Sequence, residues 1–441
     1  MNIREIVLDM LMELSKNGTY CHLLIRDVLK KYNYLDQRDK AFIKKVTEGV
    51  IERKIELDYV INMFSNTKVN KMKPLIREVL RMSVYQILYM EQVPDSAVCN
   101  EAVKLAEKRK FHNLKGFVNG VLRNIARNKE TISYTDISVK YSMPQFLVDR
   151  FKASYDEKTV ETILESFLTE QPVSVRMKES LSDKQKEAVM EELKNAGVEV
   201  TPHPYLSYAY ALKKAEGLSN IESFGNGDFT VQDVSSMLVA ECADIKENMT
   251  VLDLCAAPGG KSMHIAEKLN GTGKVYSFDV SEKKTEYIID NIERLGYQNI
   301  EVRVNDGTVF NEAFVEMADV VIADVPCSGI GVIGKKCDIK YRIHEDEIKD
   351  IVELQKKIME NAWKYVKKGG TLIYSTCTIS RDENEDMVDW LTKNTPLKLE
   401  SLDAYLPKEL VSDTTKKGYL QLLPGIHKCD GFFIARLKRE D

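Results

Sequence analysis

At 441 residues the chain is too long for one ordinary hydrophobic core, and two or three domains are expected. Hydrophobic residues make up 44% of the sequence and charged residues 30%, as in globular proteins, and no apolar run approaches the ~20 residues that span a bilayer. The amino terminus lacks the apolar segment and the cleavage site of a signal peptide. We therefore predict a cytoplasmic protein without membrane segments.

The net charge of −5 conceals an asymmetry along the chain. Residues 1–130 contain 24 Lys and Arg against 16 Asp and Glu, a net charge of +8, whereas residues 131–441 carry a net charge of −13. A basic front part can attract a polyanion even though the whole chain is acidic. Nucleic acid therefore remains a candidate partner, with the front part as its docking face.

The eight cysteines are spread over the chain and include no C-x-x-C pair. This spacing argues against a disulfide framework and against a structural zinc site, so we expect no metal. Most of the thiols are expected to be buried as small apolar groups. Only those that follow predicted strands suggest chemistry.

Apolar residues recur at intervals of three and four from residue 3 to about residue 127, and no alternating strand pattern interrupts them. This predicts an all-helical domain of roughly six to eight helices. Any one basic cluster in it is most simply a solvated helix face, and only the combined surplus favours an RNA-docking surface. The clusters lie at residues 30–31, 44–45, 71–73 and 108–110.

Three segments of this domain carry a resemblance: L-D-Q-R-D-K-A-F-I-K-K-V-T-E-G-V (35–50), D-S-A-V-C-N-E-A-V-K-L-A (95–106) and K-G-F-V-N-G-V-L-R-N-I (115–125). They resemble the NusB-type RNA-binding helical domain, which precedes the catalytic half of one bacterial rRNA methyltransferase group. The resemblance implies RNA binding by residues 1–130, in agreement with their charge.

Residues 131–229 have a mixed character that predicts a small α+β connecting domain. A strand-like segment (172–177) is followed by a helix-like one that Gly197 ends (184–197) and by a second strand-like segment (198–200). His203, between two prolines, is expected to be an ordinary loop residue.

In residues 230–441 strands and helices alternate, which predicts a Rossmann-like parallel sheet with helices on both faces. The predicted strands are residues 251–254, 274–278, 300–304, 320–323 and 371–375, and the predicted helices are residues 235–243, 261–269, 281–296 and 345–366. Ligands of such sheets bind beyond the carboxyl ends of the strands. The residues just past those ends, which we expect to form one rim, are Cys255, Asp279, Asp306, Asp324, Cys327 and Cys377.

The loop after the first of these strands, C-A-A-P-G-G-K-S (255–262), is rich in glycine. It lacks the G-x-G-x-x-G of a dinucleotide site, and Cys255 stands where a P-loop has its first glycine. Asp279, an acid at the end of the next strand, suits a ribose diol. Loop, acid and strand order together favour a cofactor of the adenosine type. Asp306 either contacts the adenine amino group or simply caps a turn.

Two cysteines follow strands, in D-V-P-C (324–327) and S-T-C-T (375–378). The first turn presents a carboxyl and a thiol together, and the hydroxyls and backbone N–H groups near Cys377 can lower a thiol pKa. Two thiols, a carboxyl and a methyl-donor pocket suit methylation of carbon 5 of cytosine. One thiolate adds to carbon 6, the ring attacks the methyl group, and the second thiol assists release. The local sequence does not decide which cysteine attacks.

These segments carry a second resemblance. D-L-C-A-A-P-G-G-K (253–261), D-V-P-C-S-G-I-G (324–331) and S-T-C-T (375–378), with P-V-S-V-R (172–176) and D-G-F-F-I-A (430–435), are similar to the motifs of the RNA cytosine-5 methyltransferases, the Sun/Fmu and NOL1/NOP2/Sun family. Val325 and Ile330 depart from the commoner residues of that family. With the NusB-like domain, the resemblance implies S-adenosylmethionine-dependent methylation of cytosine in small-subunit (16S) ribosomal RNA through a covalent cysteine adduct.

The second resemblance also implies a role for each rim residue. Cys377 is the nucleophile, Cys327 assists product release, and Asp324 lies near both methyl donor and base. Asp279 holds the ribose and Asp306 lies by the adenine. The S-adenosylmethionine loop comprises Cys255, Ala256, Ala257, Pro258, Gly259, Gly260 and Lys261.

Two other functions stay open at this point. A transfer-RNA cytosine-5 methyltransferase would use the same catalytic residues, but the NusB-like domain disfavours it. A non-catalytic RNA-binding factor of ribosome assembly would have no need of both cysteines, Asp324 and an intact A-P-G-G-K loop. We expect a monomer whose partner is small-subunit ribosomal RNA.

Overall fold

The computed structural model describes residues 2–440. It divides into two compact units. The first, here called the helical unit, comprises the residues up to Leu168 together with residues 333–342. The second, the sheet unit, comprises residues 169–332 and the residues from Ile343 onward. The domain limits expected at residues 130 and 229 remain predictions.

The helical unit contains no strand within residues 2–168, and the helical prediction for residue 3 to about residue 127 is confirmed. Pro74 opens its central helix, where the missing N–H and the fixed φ of proline are tolerated, and that helix is buried on most of its faces. The helices are α1 (Ile3–Asn17), α2 (Cys21–Lys31), α3 (Gln37–Glu52), α4 (Lys54–Phe64), α5 (Pro74–Tyr89), α6 (Asp95–Lys108), α7 (Lys115–Asn128), α8 (Ile137–Lys140), α9 (Gln145–Ser154) and α10 (Glu157–Ser166).

Helices α8 to α10 lie at the start of the stretch for which a mixed α+β character was expected, and no helix was predicted for residues 137–166. They are short, from four to ten residues, so the apolar periodicity in each is brief. Two of them are fixed by caps: Asp136 accepts the N–H of Ser138, and Asp156 accepts the N–H of Thr159. The helical part of the chain therefore extends well beyond residue 130.

A ten-residue segment, 333–342, packs within the helical unit although it follows a turn of the sheet unit in sequence. The Asp338 carboxylate accepts the N–H of Cys21 at 3.0 Å, and the buried Lys340 ammonium donates to the Glu52 carbonyl at 2.6 Å. The helical unit thus needs residues from far along the chain. A fragment that ends near residue 130 lacks them.

The smaller sheet of the sheet unit has the strand order β2-β3-β1-β4, all antiparallel. Its elements are β1 (Val173–Met177), α11 (Asp183–Asn195), β2 (Glu199–Pro202), β3 (Ala209–Lys213), α12 (Glu222–Gly225) and β4 (Phe229–Val231). The predicted α+β character is confirmed, with β1, α11 and β2 close to their expected positions. Strand β3 was missed because its sequence, A-Y-A-L-K, does not alternate apolar and polar residues, and β4 was missed because it has only three residues.

The larger sheet has eight strands in the order β10-β12-β9-β8-β5-β6-β7, with β11 paired to β12. The strands are β5 (Thr250–Asp253), β6 (Lys274–Asp279), β7 (Ile300–Val304), β8 (Ala318–Asp324), β9 (Val366–Thr376), β10 (Leu397–Leu399), β11 (Tyr419–Leu422) and β12 (Phe432–Arg439). The helices are α13 (Val234–Ala243), α14 (Gly260–Lys268), α15 (Glu282–Leu295), α16 (Glu345–Tyr365), α17 (Glu385–Asn394) and α18 (Asp413–Lys417).

The five predicted strands, β5 to β9, are present and parallel to one another, but the sheet as a whole is mixed. Strand β12 runs antiparallel to β9, and β10 and β11 run antiparallel to β12. The expectation of a purely parallel sheet is corrected in this respect. The reason is that the alternation of strand and helix ends after α17, so the carboxyl-terminal strands return without a right-handed crossover.

Helices cover both faces of the parallel strands, as predicted. Val251 and Ile322 pack on one face with α13 and α14, whereas the adjacent residues Leu252 and Val321 pack on the other with α16. Burial on both faces explains the continuous apolar run of β8. Within residues 2–440, no helix combines the length and the apolar character needed to cross a membrane.

Candidate active site

The rim residues expected from the sequence lie at the carboxyl ends of β5 to β9. Asp279 and Asp324 are the last residues of β6 and β8, Cys377 follows β9 directly, and Cys255 lies two residues past the end of β5. Asp306 lies two residues past β7. Adjacent ends are joined by hydrogen bonds described below, so the parallel strands gather these distant residues at one edge.

The glycine loop is tied to the end of β6 through backbone groups. The N–H of Ala256 donates to the Phe278 carbonyl at 2.8 Å, and the N–H of Ala257 donates to the Asp279 carboxylate at 3.1 Å. The other carboxylate oxygen of Asp279 accepts the N–H of Val280 and lies 3.2 Å from the Lys284 ammonium. Asp279 therefore fixes the loop as well as standing at the position expected to hold a ribose.

The loop has the features that an adenosine-type cofactor with a charged tail requires. Gly259 has a φ of +103°, and a Cβ there would lie 3.2 Å from the side chains of Ile288 and Met263. Helix α14 begins at Gly260, so its first N–H groups have no intrahelical acceptor and face the rim with the positive end of the helix dipole. Residues 255–261 fit such a cofactor.

Lys261 and Asp324 form a pair that joins the glycine loop to the end of β8. The Lys261 ammonium lies 2.7 Å from one Asp324 oxygen, and the hydroxyl of Ser375 donates to the other at 2.8 Å. Burial alone would lower the pKa of Lys261, but the charge and hydrogen bond of Asp324 outweigh it and raise that pKa. Asp324 thus stands between the cofactor loop and the strand that precedes Cys377.

The two expected cysteines meet at the rim. Their sulfur atoms are 3.2 Å apart, although 50 residues separate Cys327 from Cys377 in sequence. The hydrogen bond with Cys377, burial, and the charges of Cys377, Glu383 and Asp324 raise the pKa of the Cys327 thiol well above its ordinary value. Cys327 is therefore protonated at neutral pH, and either sulfur can donate the hydrogen bond between the two.

Asp306 adopts the turn-capping conformation that the sequence left open. One carboxylate oxygen accepts both the N–H and the hydroxyl of Thr308, at 2.9 Å and 2.7 Å. The preceding residue, Asn305, donates its N–H to the carbonyl of Asp279 at 2.9 Å. Asp306 is thus held beside the expected ribose position, and a contact with adenine remains a proposal.

The carboxyl-terminal D-G-F-F-I-A element lies directly against the cysteine turns. Gly431 donates its N–H to the carbonyl of Gly331 at 3.0 Å, and Gly331 donates its own to the carbonyl of Cys377 at 3.1 Å. A Cβ on Gly331 would clash with the carbonyl oxygen of Gly431 and would lie 2.6 Å from the carbonyl carbon of that residue. Both glycines are needed because two backbones pass each other without room for a side chain.

Sequence reasoning missed the polar groups that support the cysteines. The buried Glu383 accepts hydrogen bonds from Ser328 and Thr378, the residues that follow the two cysteines. Ser375 donates to Asp324, and Gln355 donates to Glu383. The only signal was the string of polar residues after S-T-C-T, which looks like an exposed helix start. The contacts that these polar groups make with the cysteine turns depend on how α16 and α17 pack, which the local sequence does not show.

Asp253, at the end of β5, is a second residue that sequence reasoning did not single out. It is buried, accepts a hydrogen bond from the Ser262 hydroxyl at 2.6 Å, and burial raises its pKa to about 7. Because the folded state binds the proton more tightly than the unfolded state, folding stability decreases as pH rises from about 4 to about 7, and is then level.

We expect Asp253→Asn to remove this pH dependence. The measured quantity is the unfolding temperature of the variant minus that of the unsubstituted protein, both without cofactor. This difference should become more positive by more than about 2 °C from pH 4 to pH 7, because only the unsubstituted protein has a buried carboxyl that must ionise. The measurement is thermal unfolding across pH, with the exposed Asp290→Asn as control. A difference that does not change with pH would contradict an elevated pKa.

The chain is similar to known proteins over its whole length. Residues 240–438 match the family described as 16S rRNA methyltransferase RsmB/F, residues 1–127 the NusB family, and residues 143–218 the ferredoxin-like domain of RsmF/B-like methyltransferases. The chain is 36% identical to the probable ribosomal RNA small subunit methyltransferase B of Bacillus subtilis (strain 168), covering 100% of this chain and 99% of that protein. Identity to the protein of that description from Synechocystis is 29%, covering 99% of each. The crystal structure of PH0851 has a TM-score of 0.81 at 26% identity, covering 100% of this chain and 98% of that one.

The mixed sheet with its glycine loop, acids and helices on both faces defines a Rossmann-like methyltransferase that uses S-adenosylmethionine, preceded by a NusB-type helical domain and a ferredoxin-like domain. A relative 36% identical over the full length decides the family. The chain belongs to the RsmB/F family of 16S rRNA methyltransferases.

Proposed function

We propose that this chain methylates carbon 5 of a cytosine in 16S ribosomal RNA through a covalent adduct between Cys377 and carbon 6 of the base. The observation that carries the proposal is the pair of thiols 3.2 Å apart at the ends of two adjacent strands, beside a carboxylate that is bonded to the cofactor loop. Methylation of an exocyclic amine or a ribose hydroxyl has no use for two thiols.

The electrostatics of the rim favour Cys377 as the attacking thiolate. Cys377 lies close enough to the Lys261 ammonium to contribute to the raised pKa of that lysine, and its sulfur lies within hydrogen-bond distance of the protonated Cys327 thiol. A cation and a hydrogen-bond donor both stabilise a thiolate. Cys327 instead faces the carboxylates of Glu383 and Asp324, which oppose its ionisation.

S-adenosylmethionine, when bound, supplies the electrophilic methyl group. Cys377 forms a bond to carbon 6 of cytosine, and the electron pair of the carbon 5–carbon 6 double bond moves toward carbon 5, which then becomes nucleophilic. Asp324 is placed to hydrogen-bond N3 or the exocyclic amine of the base and so to stabilise the adduct.

Release requires that the proton of carbon 5 leaves and that the bond from carbon 6 to the Cys377 sulfur breaks. Once the Cys377 sulfur is bonded to carbon 6, it no longer carries the charge that helps to raise the pKa of Cys327, and Cys327 loses its own proton to solvent. The Cys327 thiolate then accepts the proton of carbon 5, and the electron pair of the carbon–hydrogen bond restores the double bond while Cys377 departs as a thiolate. Before the base is attacked, the raised pKa keeps Cys327 protonated, which disfavours Cys327 as the attacking thiolate and leaves it for the release step.

The direct test is nucleoside analysis of 16S rRNA that lacks the modification, incubated with the protein and S-adenosylmethionine. We expect 5-methylcytidine as the new nucleoside. Appearance of N4-methylcytidine or a ribose-methylated nucleoside would contradict the proposed chemistry. Incorporation into transfer RNA in preference to 16S rRNA would favour a transfer-RNA enzyme, and no product with either RNA would favour a non-catalytic assembly factor.

We further propose that RNA docks at a basic pocket of the helical unit. The pocket has a volume of about 470 Å³ and is lined by Asp58, Asn62, Lys68, Val69, Asn70, Lys71, Arg77 and Arg81. Asp58 and Glu78 neutralise Arg81, at 2.6 Å and 2.7 Å, whereas Lys68 and Lys71 are exposed. Exposed lysines beside a concave surface suit the phosphates of an RNA backbone.

Replacing Lys68 and Lys71 together by glutamine should weaken RNA binding and lower its salt dependence. Two lost phosphate contacts decrease the slope of log K against log salt by roughly 1.4 to 1.8. The measurement is 16S rRNA binding by the full chain at several salt concentrations. An unchanged slope would mean that RNA binds at a surface other than this pocket.

The matched control for this experiment is the double substitution Lys108→Gln and Arg109→Gln. It removes the same charge, but Lys108 is paired with Glu5 at 2.6 Å and Arg109 with Asp9 at 2.6 Å. These cations are partly neutralised within the helical unit, so their loss should change the slope by less than half as much.

A further inference from the structure

The turn that holds Cys327 and the turn that holds Cys377 share one buried carboxylate. Ser328, directly after Cys327, donates its N–H to Glu383 at 2.8 Å and its hydroxyl to the other carboxylate oxygen at 2.5 Å. Thr378, directly after Cys377, lies 3.4 Å from Glu383 and 2.8 Å from the Ser328 hydroxyl. One side chain therefore contacts the neighbour of each cysteine.

A second layer fixes Glu383 itself. Gln355 of α16 donates to the Glu383 carboxylate at 3.2 Å and to the carbonyl of Pro326, just before Cys327, at 2.9 Å. The hydroxyl of Tyr374 donates to the backbone carbonyl of Glu383 at 2.5 Å. Glu383 has an exposed fraction of 0%, which excludes direct contact with the base. Its influence on the reaction must act through the cysteine turns.

We propose that Glu383 is a positioning residue of the thiol pair, which holds the Cys327 turn against the end of β9 so that Cys327 reaches the adduct formed by Cys377. This inference rests on the function proposed above and adds a residue to it. Burial raises the pKa of Glu383, and the bonds from Ser328, Gln355 and Thr378 oppose that rise, so the carboxylate is stabilised by the turns it holds together.

The two turns depend on Glu383 to different degrees. The Cys377 turn continues β9 and has independent support, because Asn384 donates to the carbonyl of Thr378 at 3.1 Å and accepts from the hydroxyl of Thr376 at 2.6 Å. Ser328 of the Cys327 turn donates two hydrogen bonds to Glu383, and the support of this turn at the Pro326 carbonyl comes from Gln355, which itself donates to Glu383. Loss of the carboxylate should therefore displace Cys327 more than Cys377, and slow release more than attack.

The test is the decay of the covalent protein–RNA adduct on a denaturing gel, with 16S rRNA and S-adenosylmethionine, in the full chain. We expect Glu383→Ala to form the adduct and to release it roughly tenfold more slowly than the unsubstituted protein, with cofactor affinity preserved. A loss of folding alone would reduce adduct formation and cofactor binding together, and would give no accumulation.

The conservative variant Glu383→Gln separates geometry from charge. Its amide oxygen can accept the N–H of Ser328, and its NH₂ can donate to the Ser328 and Thr378 hydroxyls, which rotate to accept. We expect it to recover most of the release rate. The control Glu385→Ala, two residues along and half-buried, should release at the ordinary rate.

Three outcomes would overturn the inference: ordinary release by Glu383→Ala, failure of that folded variant to form any adduct while still binding cofactor, or release by Glu383→Gln as slow as by Glu383→Ala. Failure of the underlying chemistry is recognised separately. If Cys327→Ala, run in parallel, also shows no adduct, the covalent mechanism and not the role of Glu383 is contradicted.

Discussion

Replacement of Cys377 by alanine is expected to abolish methyl transfer while cofactor affinity stays within about twofold of the unsubstituted protein. The reason is that carbon 5 of cytosine gains nucleophilic character only after a thiolate has added to carbon 6. We expect a decrease in turnover of at least roughly 10³-fold, because the raised pKa of the neighbouring Cys327 thiol opposes its attack in place of Cys377. Turnover is measured as methyl incorporation into 16S rRNA, and affinity by calorimetry with S-adenosylmethionine.

Two results would contradict this assignment. Ordinary turnover by Cys377→Ala would exclude Cys377 as the nucleophile. Loss of both turnover and cofactor binding would mean that the substitution disturbs the rim, because Lys261 lies close to the Cys377 sulfur. Cys242→Ala is a suitable control, since this thiol is buried beneath β9 and β12 and lies away from the rim.

Replacement of Cys327 by alanine should have the opposite signature, an accumulated covalent protein–RNA complex. Attack by Cys377 and methyl transfer remain possible, but the proton of carbon 5 has lost its acceptor and the adduct is not released. The complex appears as a band of reduced mobility on a denaturing gel after incubation with 16S rRNA and S-adenosylmethionine. The unsubstituted protein should show little of it.

The double variant Cys327→Ala, Cys377→Ala identifies the atom that is bonded to RNA. If Cys377 is that atom, the band of the single variant disappears in the double variant. A band that persists would point to a third nucleophile, and a band in Cys377→Ala but not in Cys327→Ala would reverse the two roles. The 3.2 Å between the sulfur atoms makes the reversal a geometrically reasonable competitor, which is why the gel decides and the distance does not.

The local sequence was sufficient to find the parallel strands and the residues at their ends. The apolar run of β8 identifies a strand because a strand buried on both faces must be apolar. The polar segments D-V-P-C and S-T-C-T mark strand ends, where the functional groups of such sheets lie. Every rim residue expected from the sequence lies at such an end. Their roles in the reaction were implied by resemblance and are still to be measured.

Other features had no local signature. The antiparallel β12 brings Gly431 against Gly331, and residues 333–342 leave the sheet unit to complete the helical unit. The hydrophobic periods of strands and helices, 2 and 3.6 residues, identify elements but do not predict either of these long-range contacts. The pairing of β12 with β9 depends on register and on the order of strands, which local patterns leave undetermined.

The sequence by itself therefore determined the kinds of element, the chemistry available at the strand ends and, through its motifs, the family. The tertiary structure decided which groups act together: that Lys261 pairs with Asp324, that the two sulfur atoms meet, and that Glu383 joins both cysteine turns. The physical reason is range. Hydrophobic periodicity and turn preferences act over a few residues, whereas hydrogen bonds between groups 50 residues apart exist only after the packed sheet has brought them within 3 Å or so.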